Sequence, residues 1–177
     1  KEMDFYLRAE AAIRRLPGIR AVAISDSVPP GGWQGGSRSS DLTVEGKPKG
    51  QGPGEPLAVR TVTPDYFPSL NIPIVRGHNF TEADRGSKEP LIIISRLLAS
   101  RLFQGEDPIG RRVHSTYGAG GAWYTVVGVA ENVKNGGLVE PDAPEIDFLS
   151  HSAAEDWGGR APLLIVDSVL SAKATVP

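Results

Sequence analysis

Two glycines separated by four residues, with arginines after the second, give Gly105-Glu106-Asp107-Pro108-Ile109-Gly110-Arg111-Arg112 the outline of a phosphate-binding loop. In such a loop backbone N–H groups cradle the phosphate oxygens, a basic side chain reaches them and a hydroxyl holds Mg²⁺. The residues inside this stretch oppose that chemistry. Glu106 and Asp107 put negative charge where a polyphosphate would lie, Pro108 removes one N–H of the cradle, and Arg112 stands where the hydroxyl is needed. The order of elements is also reversed, because a phosphate loop opens a helix and this one follows a helical pattern and opens a strand. The plain reading is a structural turn, and no cofactor is expected.

Glu82, Asp84, Glu106 and Asp107 have the chemistry for a hydrolytic carboxylate pair, although helix capping and loop solubility account for the same residues. His78, His114 and His151 show neither H-x-H nor H-E-x-x-H spacing. A hydrogen-bonded or solvated imidazole is expected for each, and no metal site. Serines are plentiful, but there is no G-x-S-x-G elbow to activate one. Gly118 to Gly121 reads as a hairpin tip, and Asn79-Phe80-Thr81 matches a glycosylation acceptor, of consequence only in a eukaryotic secretory setting. Cysteine is absent, which excludes disulfides, thiolate catalysis and Cys-ligated zinc. No catalytic residue is assigned. One contact candidate is left: Trp33, a large apolar side chain in the Gly-, Pro- and Ser-rich stretch Val28 to Ser40, which either anchors a partner or folds back on the domain.

The elements that must position these residues are read from periodicity and breakers. Phe5, Ala9, Ala12, Ile13 and Leu16 form an apolar stripe at helical spacing, predicting a first helix over about Asp4 to Leu16, stopped by Pro17-Gly18. Strands are expected at Ile19–Ser25, Asp41–Glu45, Leu57–Val62, Ile72–Val75, Leu91–Ile94, Arg111–Tyr117, Ala122–Ala130, Glu145–Leu149 and, as a last buried strand, Pro162–Val166. Long Gly/Pro-rich loops occupy Val28–Ser40 and Lys47–Pro56. Thr63 to Pro68 reads as a single helical turn capped by Thr63 or Asp65. The run Leu91-Ile92-Ile93-Ile94 is short and isoleucine-rich, as in a strand buried on both faces. Ser95 then caps a helix in which Leu98 with Leu102 and Ala99 with Phe103 are i, i+4 pairs. Gly105 suits the position past the helix end. The fold class is α+β, with more strand than helix.

The totals narrow the partners. At 177 residues the chain suits one domain with room for an embedded subdomain. Nineteen basic against twenty-one acidic side chains leave a formal charge of −2, against nucleic acid as a partner. No apolar run is long enough to span a bilayer. The chain starts at Lys1 with no initiator Met or signal-like N-terminus, so it is read as a fragment of a longer protein.

Three groups of residues, in order, resemble the MacB-like periplasmic core domain of FtsX-type ABC transporter permeases. The first is Val62-Thr63-Pro64-Asp65-Tyr66-Phe67 with Leu70-Asn71-Ile72-Pro73 and Gly77-His78-Asn79-Phe80-Thr81. The second runs from Leu91-Ile92-Ile93-Ile94 through Arg101-Leu102-Phe103 to Asp107-Pro108-Ile109-Gly110-Arg111. The third is Val126-Val127-Gly128-Val129 with Glu131-Asn132-Val133-Lys134 and Gly137-Leu138. Leu16-Pro17-Gly18-Ile19 is similar to the family's helix-to-strand junction. His78 stands where the pattern has arginine, Ser95 where it has asparagine, and 163–177 matches only loosely. The resemblance implies mixed sheets with a few short helices. A porter-like part would come from the two chain ends, about 1–62 and 160–177, and an inserted, smaller, β-rich subdomain from about 63–150. It further implies a non-enzymatic domain on the extracytoplasmic face of a bacterial inner membrane, anchored by segments outside this sequence. Such a domain relays conformational change from a cytoplasmic ATPase to a periplasmic adaptor or substrate in efflux, lipoprotein or peptide handling. Its expected partners are the transmembrane part of the same permease and, indirectly, the ATPase. Two other readings are a soluble or surface module gripping a peptide or glycan through Trp33, and a hydrolase using the four carboxylates.

Overall fold

A computed structural model describes residues 2–30, 37–39, 42–47, 57–87, 89–115, 121–135, 137, 139, 142–150 and 162–169. In chain order the elements are α1 (Glu2–Ile13), β1 (Ile19–Ser25), β2 (Ser37–Ser39), β3 (Leu42–Val44), β4 (Leu57–Val62), α2 (Tyr66–Ser69) and β5 (Ile74–Gly77). They continue with α3 (Glu82–Ser87), β6 (Leu91–Ser95), α4 (Arg96–Phe103), β7 (Arg112–Ser115), β8 (Ala122–Ala130), β9 (Glu145–Leu149) and β10 (Leu163–Ser168). The fold is α+β, as the patterns predict. The strands join in one mixed sheet of order β10-β1-β4-β9-β6-β8-β7-β3, with β2 added to β4 and β5 to β8. β4 with β9 and β6 with β8 are parallel pairs, and the remaining pairings are antiparallel.

The strand period of two sorts the central strands onto two faces. On one face Leu57 and Val59 of β4, Ile146 and Phe148 of β9, Ile92 and Ile94 of β6, and Tyr124 and Val126 of β8 pack with Leu98, Leu102 and Phe103 of α4. On the other, Val62, Leu91, Ile93, Val127 and Leu149 pack with Tyr66 and Phe67 of α2 and with Phe80. Every residue of β6 is buried, as expected of its isoleucine run. The Ser95 hydroxyl accepts from the Leu98 N–H at 3.2 Å and so caps α4. It accepts from the Glu145 N–H as well, at 3.0 Å, tying the cap to β9. Gln104 already takes the left-handed conformation at the helix end, with φ 50°, one residue before Gly105.

Two close backbone approaches fix glycines in the middle of the sheet. A Cβ on Gly77 would lie 2.2 Å from the Val127 carbonyl oxygen, and one on Gly128 would lie 2.5 Å from that of His78. β5 therefore crosses β8 at a distance that a side chain forbids.

Several expectations are revised. α1 ends at Ile13, and the chain leaves it through i→i−3 bonds from Arg15 to Ala12 and from Leu16 to Ile13. Pro17 disfavours helical geometry at the residue before it, which shortens the helix. The apolar stripe of α1 does not face the core: Phe5 is 59% exposed while Glu10 is buried. Tyr6 packs on Ile24 instead, as Leu164 does. Strand β2 lies within a stretch read as loop, because three polar residues carry no period and form a strand only by pairing with β4. Asp65 makes no capping bond for α2. Thr63 does not cap it either, since its hydroxyl accepts from the Ile24 N–H at 2.8 Å. β10 is an outer strand whose residues are exposed or half-buried, not a buried one, because only β1 pairs with it among the described residues.

Candidate functional site

The turn after α4 uses its polar groups on itself. The Asp107 carboxylate accepts from the Ile109 N–H at 3.1 Å, and the Gly110 N–H bonds the Val126 carbonyl at 2.8 Å. Glu106 pairs with Lys47 at 3.2 Å and Arg111 at 3.0 Å. Hydrogen bonds from Lys47 and then Arg111 lower its pKa below the ordinary value. An N–H needed for a phosphate cradle is thus bonded to the sheet, and a basic side chain is engaged by the loop's own acid. This is a turn.

The other sequence candidates stay apart in their partnerships. Asp84 accepts from the backbone N–H and the hydroxyl of Thr81 at 2.8 and 2.7 Å, capping α3. Glu82 lies 3.9 Å from Arg14 and 3.6 Å from Arg85. These acids serve α1 and α3, whereas Glu106 and Asp107 serve Lys47, Arg111 and Arg76. His78 Nδ1 is 2.9 Å from the Asn79 carbonyl oxygen, and His114 meets the Trp123 ring edge-on at 5.4 Å. Among the described residues no three His, Cys, Asp or Glu side chains gather as metal ligands would. Trp33 and His151 lie outside the described residues.

Two ionic assemblies not anticipated from the sequence stand out. The first is a seam on α1. Arg14 pairs with Glu10 at 3.0 Å and with Asp65 at 3.0 Å, and Arg85 reaches Glu10 at 3.4 Å. It lines a shallow groove of about 400 Å³ with Leu7, Ala11 and Arg15. The first helix is thereby fastened to α2 and α3 by charge, not by its apolar stripe.

The second assembly is buried in the sheet between β4 and β9. Arg60 is 3% exposed, Glu145 3%, Asp147 2% and Asp26 5%. Arg60 stands beside Asp147 in the parallel register, with Glu145 two residues before Asp147 on the same face. Arg60 donates through Nε to the Ser27 hydroxyl at 2.9 Å, through Nη2 to Asn135 at 2.8 Å, and through Nη1 to Glu145. Asn135 donates in turn to Glu145 at 2.6 Å. The guanidinium lies over the Tyr66 ring, 5.4 Å from its centre, a cation–π contact. Asp147 Oδ1 is 3.6 Å from Arg60 Nη1 and accepts no hydrogen bond. Burial pushes the Asp147 carboxyl up to about 7; Arg60 opposes the rise and Asp26 adds to it. The sequence carried one signal for this assembly, ionisable residues at alternate positions inside otherwise apolar strands (Arg60 in Leu57–Val62, Glu145 and Asp147 in Glu145–Leu149). What it did not carry was the pairing of β4 with β9, some 85 residues apart.

This arrangement orders structure. It offers a fixed cation, a Glu145 carboxylate engaged through both oxygens and an Asp147 carboxyl with one oxygen unbonded, and no nucleophile held against a base.

The MacB-like periplasmic core domain family matches residues 4–156. The periplasmic region of MacB from Actinobacillus actinomycetemcomitans superposes with a TM-score of 0.63 at 13% identity, over 95% of this chain and 67% of that one. The extracellular domain of the noncanonic ABC-type transporter YknZ from Gram-positive bacteria superposes with a TM-score of 0.60 at 17% identity, over 95% of this chain and 76% of that one. No curated protein matches the sequence. Among the described residues no helix is long and apolar enough to cross a membrane.

Proposed function

We propose, from the premise that this chain belongs to the MacB-like periplasmic core domain family, that it is a non-enzymatic relay. In this reading the domain sits on the extracytoplasmic face of a bacterial membrane as part of an ABC transporter permease. It passes conformational change from a cytoplasmic ATPase to a periplasmic adaptor or substrate. The observation that carries the reading is the family match, which spans residues 4–156. The side-chain chemistry supports it, because the strongest polar assemblies join elements to one another. The α1 seam links the first helix to α2 and α3, a route by which displacement of α1 would reach the sheet.

The functional division we propose follows the chain: a porter-like part from about 1–62 and 160–177, and an inserted part from about 63–150. On that division the junction lies at β4 against β9, where Arg60, Asp26 and Ser27 of one part meet Glu145, Asp147 and Asn135 of the other. The reading is tested on the parent polypeptide. Apolar spans of about twenty residues are expected on both sides of this domain, and its expression as a fusion should place it outside the cytoplasm. A parent protein that fractionates as soluble would contradict the reading.

A further inference from the structure

We infer that the Arg60 cluster is a one-proton latch, in which Asp147 is held protonated while the β4–β9 junction is closed. One guanidinium faces three carboxyl groups, those of Glu145, Asp147 and Asp26, and none of the four residues exceeds 5% exposure. If all three were ionised the junction would hold two uncompensated negative charges away from water, which costs several kcal/mol per ion. One proton halves that excess.

Geometry says which group holds it. Both Glu145 oxygens are engaged, one by Arg60 and the other by the Asn135 amide. Asp26 accepts from the Thr61 N–H at 3.3 Å and from the Ser27 hydroxyl at 3.4 Å. Both sets of donors favour the ionised form. Asp147 Oδ1 has no donor at all. The elements around it contribute Arg60 from β4, Glu145 from β9 itself, Asp26 from the turn after β1, and Tyr66 from α2, whose hydroxyl burial keeps neutral. Asp65, the other ionisable residue beside α2, is turned to Arg14. From β6 the neighbour in register is Ile93, which supplies only apolar surface. The direction of the Asp147 shift agrees with this assignment.

The consequence for pH follows from linkage. The closed junction binds the proton more tightly than the opened chain, so between the two pKa values the closed state carries more protons. Its stability is then complete below about pH 4 and is lost as pH rises towards the raised value near 7. This is opposite to the usual contribution of a paired carboxylate.

The test uses the 177-residue chain. The side-chain carboxyl carbon of Asp147, followed by NMR through a pH titration, should shift with a midpoint near 7, and the midpoint should fall in Asp26→Asn, which removes a like charge. In denaturant unfolding the equilibrium constant of the unaltered chain should grow, relative to that of Asp147→Asn, by close to tenfold per pH unit in the middle of this window and level off as the raised value is passed. If Asp147→Asn does not fold, the NMR titration of the unaltered chain decides alone. An Asp147 midpoint in the ordinary range near 4, or a midpoint indifferent to Asp26→Asn, or parallel unfolding profiles, would overturn the latch.

Discussion

The two faces of the same three strands obey different rules. On one face of β4, β9 and β6, Val59, Ile146, Phe148, Ile92 and Ile94 lie under α4 in an apolar core. On the other, beside the apolar residues Val62, Ile93 and Leu149, strands β4 and β9 bury Arg60, Glu145 and Asp147 just as deeply, held by hydrogen bonds and charge. An apolar face tolerates many arrangements of similar volume, since burial is non-directional. A buried ionic face tolerates few, because each charge depends on particular partners. The first face makes the domain stable; the second makes the pairing of β4 with β9 specific.

The largest expected effect comes from removing the single cation of the ionic face. Arg60→Met leaves three buried carboxyl groups without their counter-charge and should cost about 3–5 kcal/mol in urea unfolding. A loss below about 1 kcal/mol would mean that the cluster is slack and the contrast between faces is false. On the apolar face, Leu102→Ala removes a side chain that is 4% exposed. The cost should be about 2–5 kcal/mol, read in the same experiment, and should be independent of pH. That independence sharpens the comparison, because the Arg60 penalty must change as the carboxyl groups titrate.

Ser95 sits where the faces meet, capping α4 and accepting from the Glu145 N–H. Ser95→Ala should cost about 0.5–2 kcal/mol, with amide exchange quickened both in the first turn of α4 and at Glu145. Faster exchange in α4 alone would show that the hydroxyl does not couple helix to strand. The smallest effect is expected at Glu106, whose ion pairs with Lys47 and Arg111 are open to solvent. Glu106→Gln should leave the thermal midpoint unchanged within error, as surface pairs usually do. A clear drop would give the turn after α4 an importance that its geometry does not suggest.

What was legible in the sequence divides along the same line. The central strand, its Ser95 cap, the helix behind it and the hairpin strands β7 and β8 announce themselves through local pattern: a run of isoleucines, an i, i+4 pair, a glycine at a turn. Family resemblance was legible too, because it rests on ordered short motifs. The strand β2 was not, since Ser37-Arg38-Ser39 becomes a strand only by lying beside β4. Nor was the role of α1, whose apolar stripe suggested burial while Glu10, Arg14 and Arg85 decide how it docks. The Arg60 cluster belongs with these. Charged residues inside strands can be noticed in a sequence, but their partners come from a parallel pairing of strands some 85 residues apart. Local chemistry is readable one segment at a time; ionic specificity needs the topology.

The relay itself is tested most directly in the complete permease, assembled with its ATPase in a membrane. This domain has no cysteine, so in a permease whose other cysteines have been replaced, spin labels go on Leu16→Cys after α1 and Val75→Cys on β5, both positions well exposed. The relay reading predicts that the distance distribution between them shifts between the nucleotide-free and ATP-bound states, and that Arg14→Ala, which cuts the end of α1 from Asp65, reduces the shift. A distribution identical in every nucleotide state, in a permease whose ATPase is turning over, would contradict it.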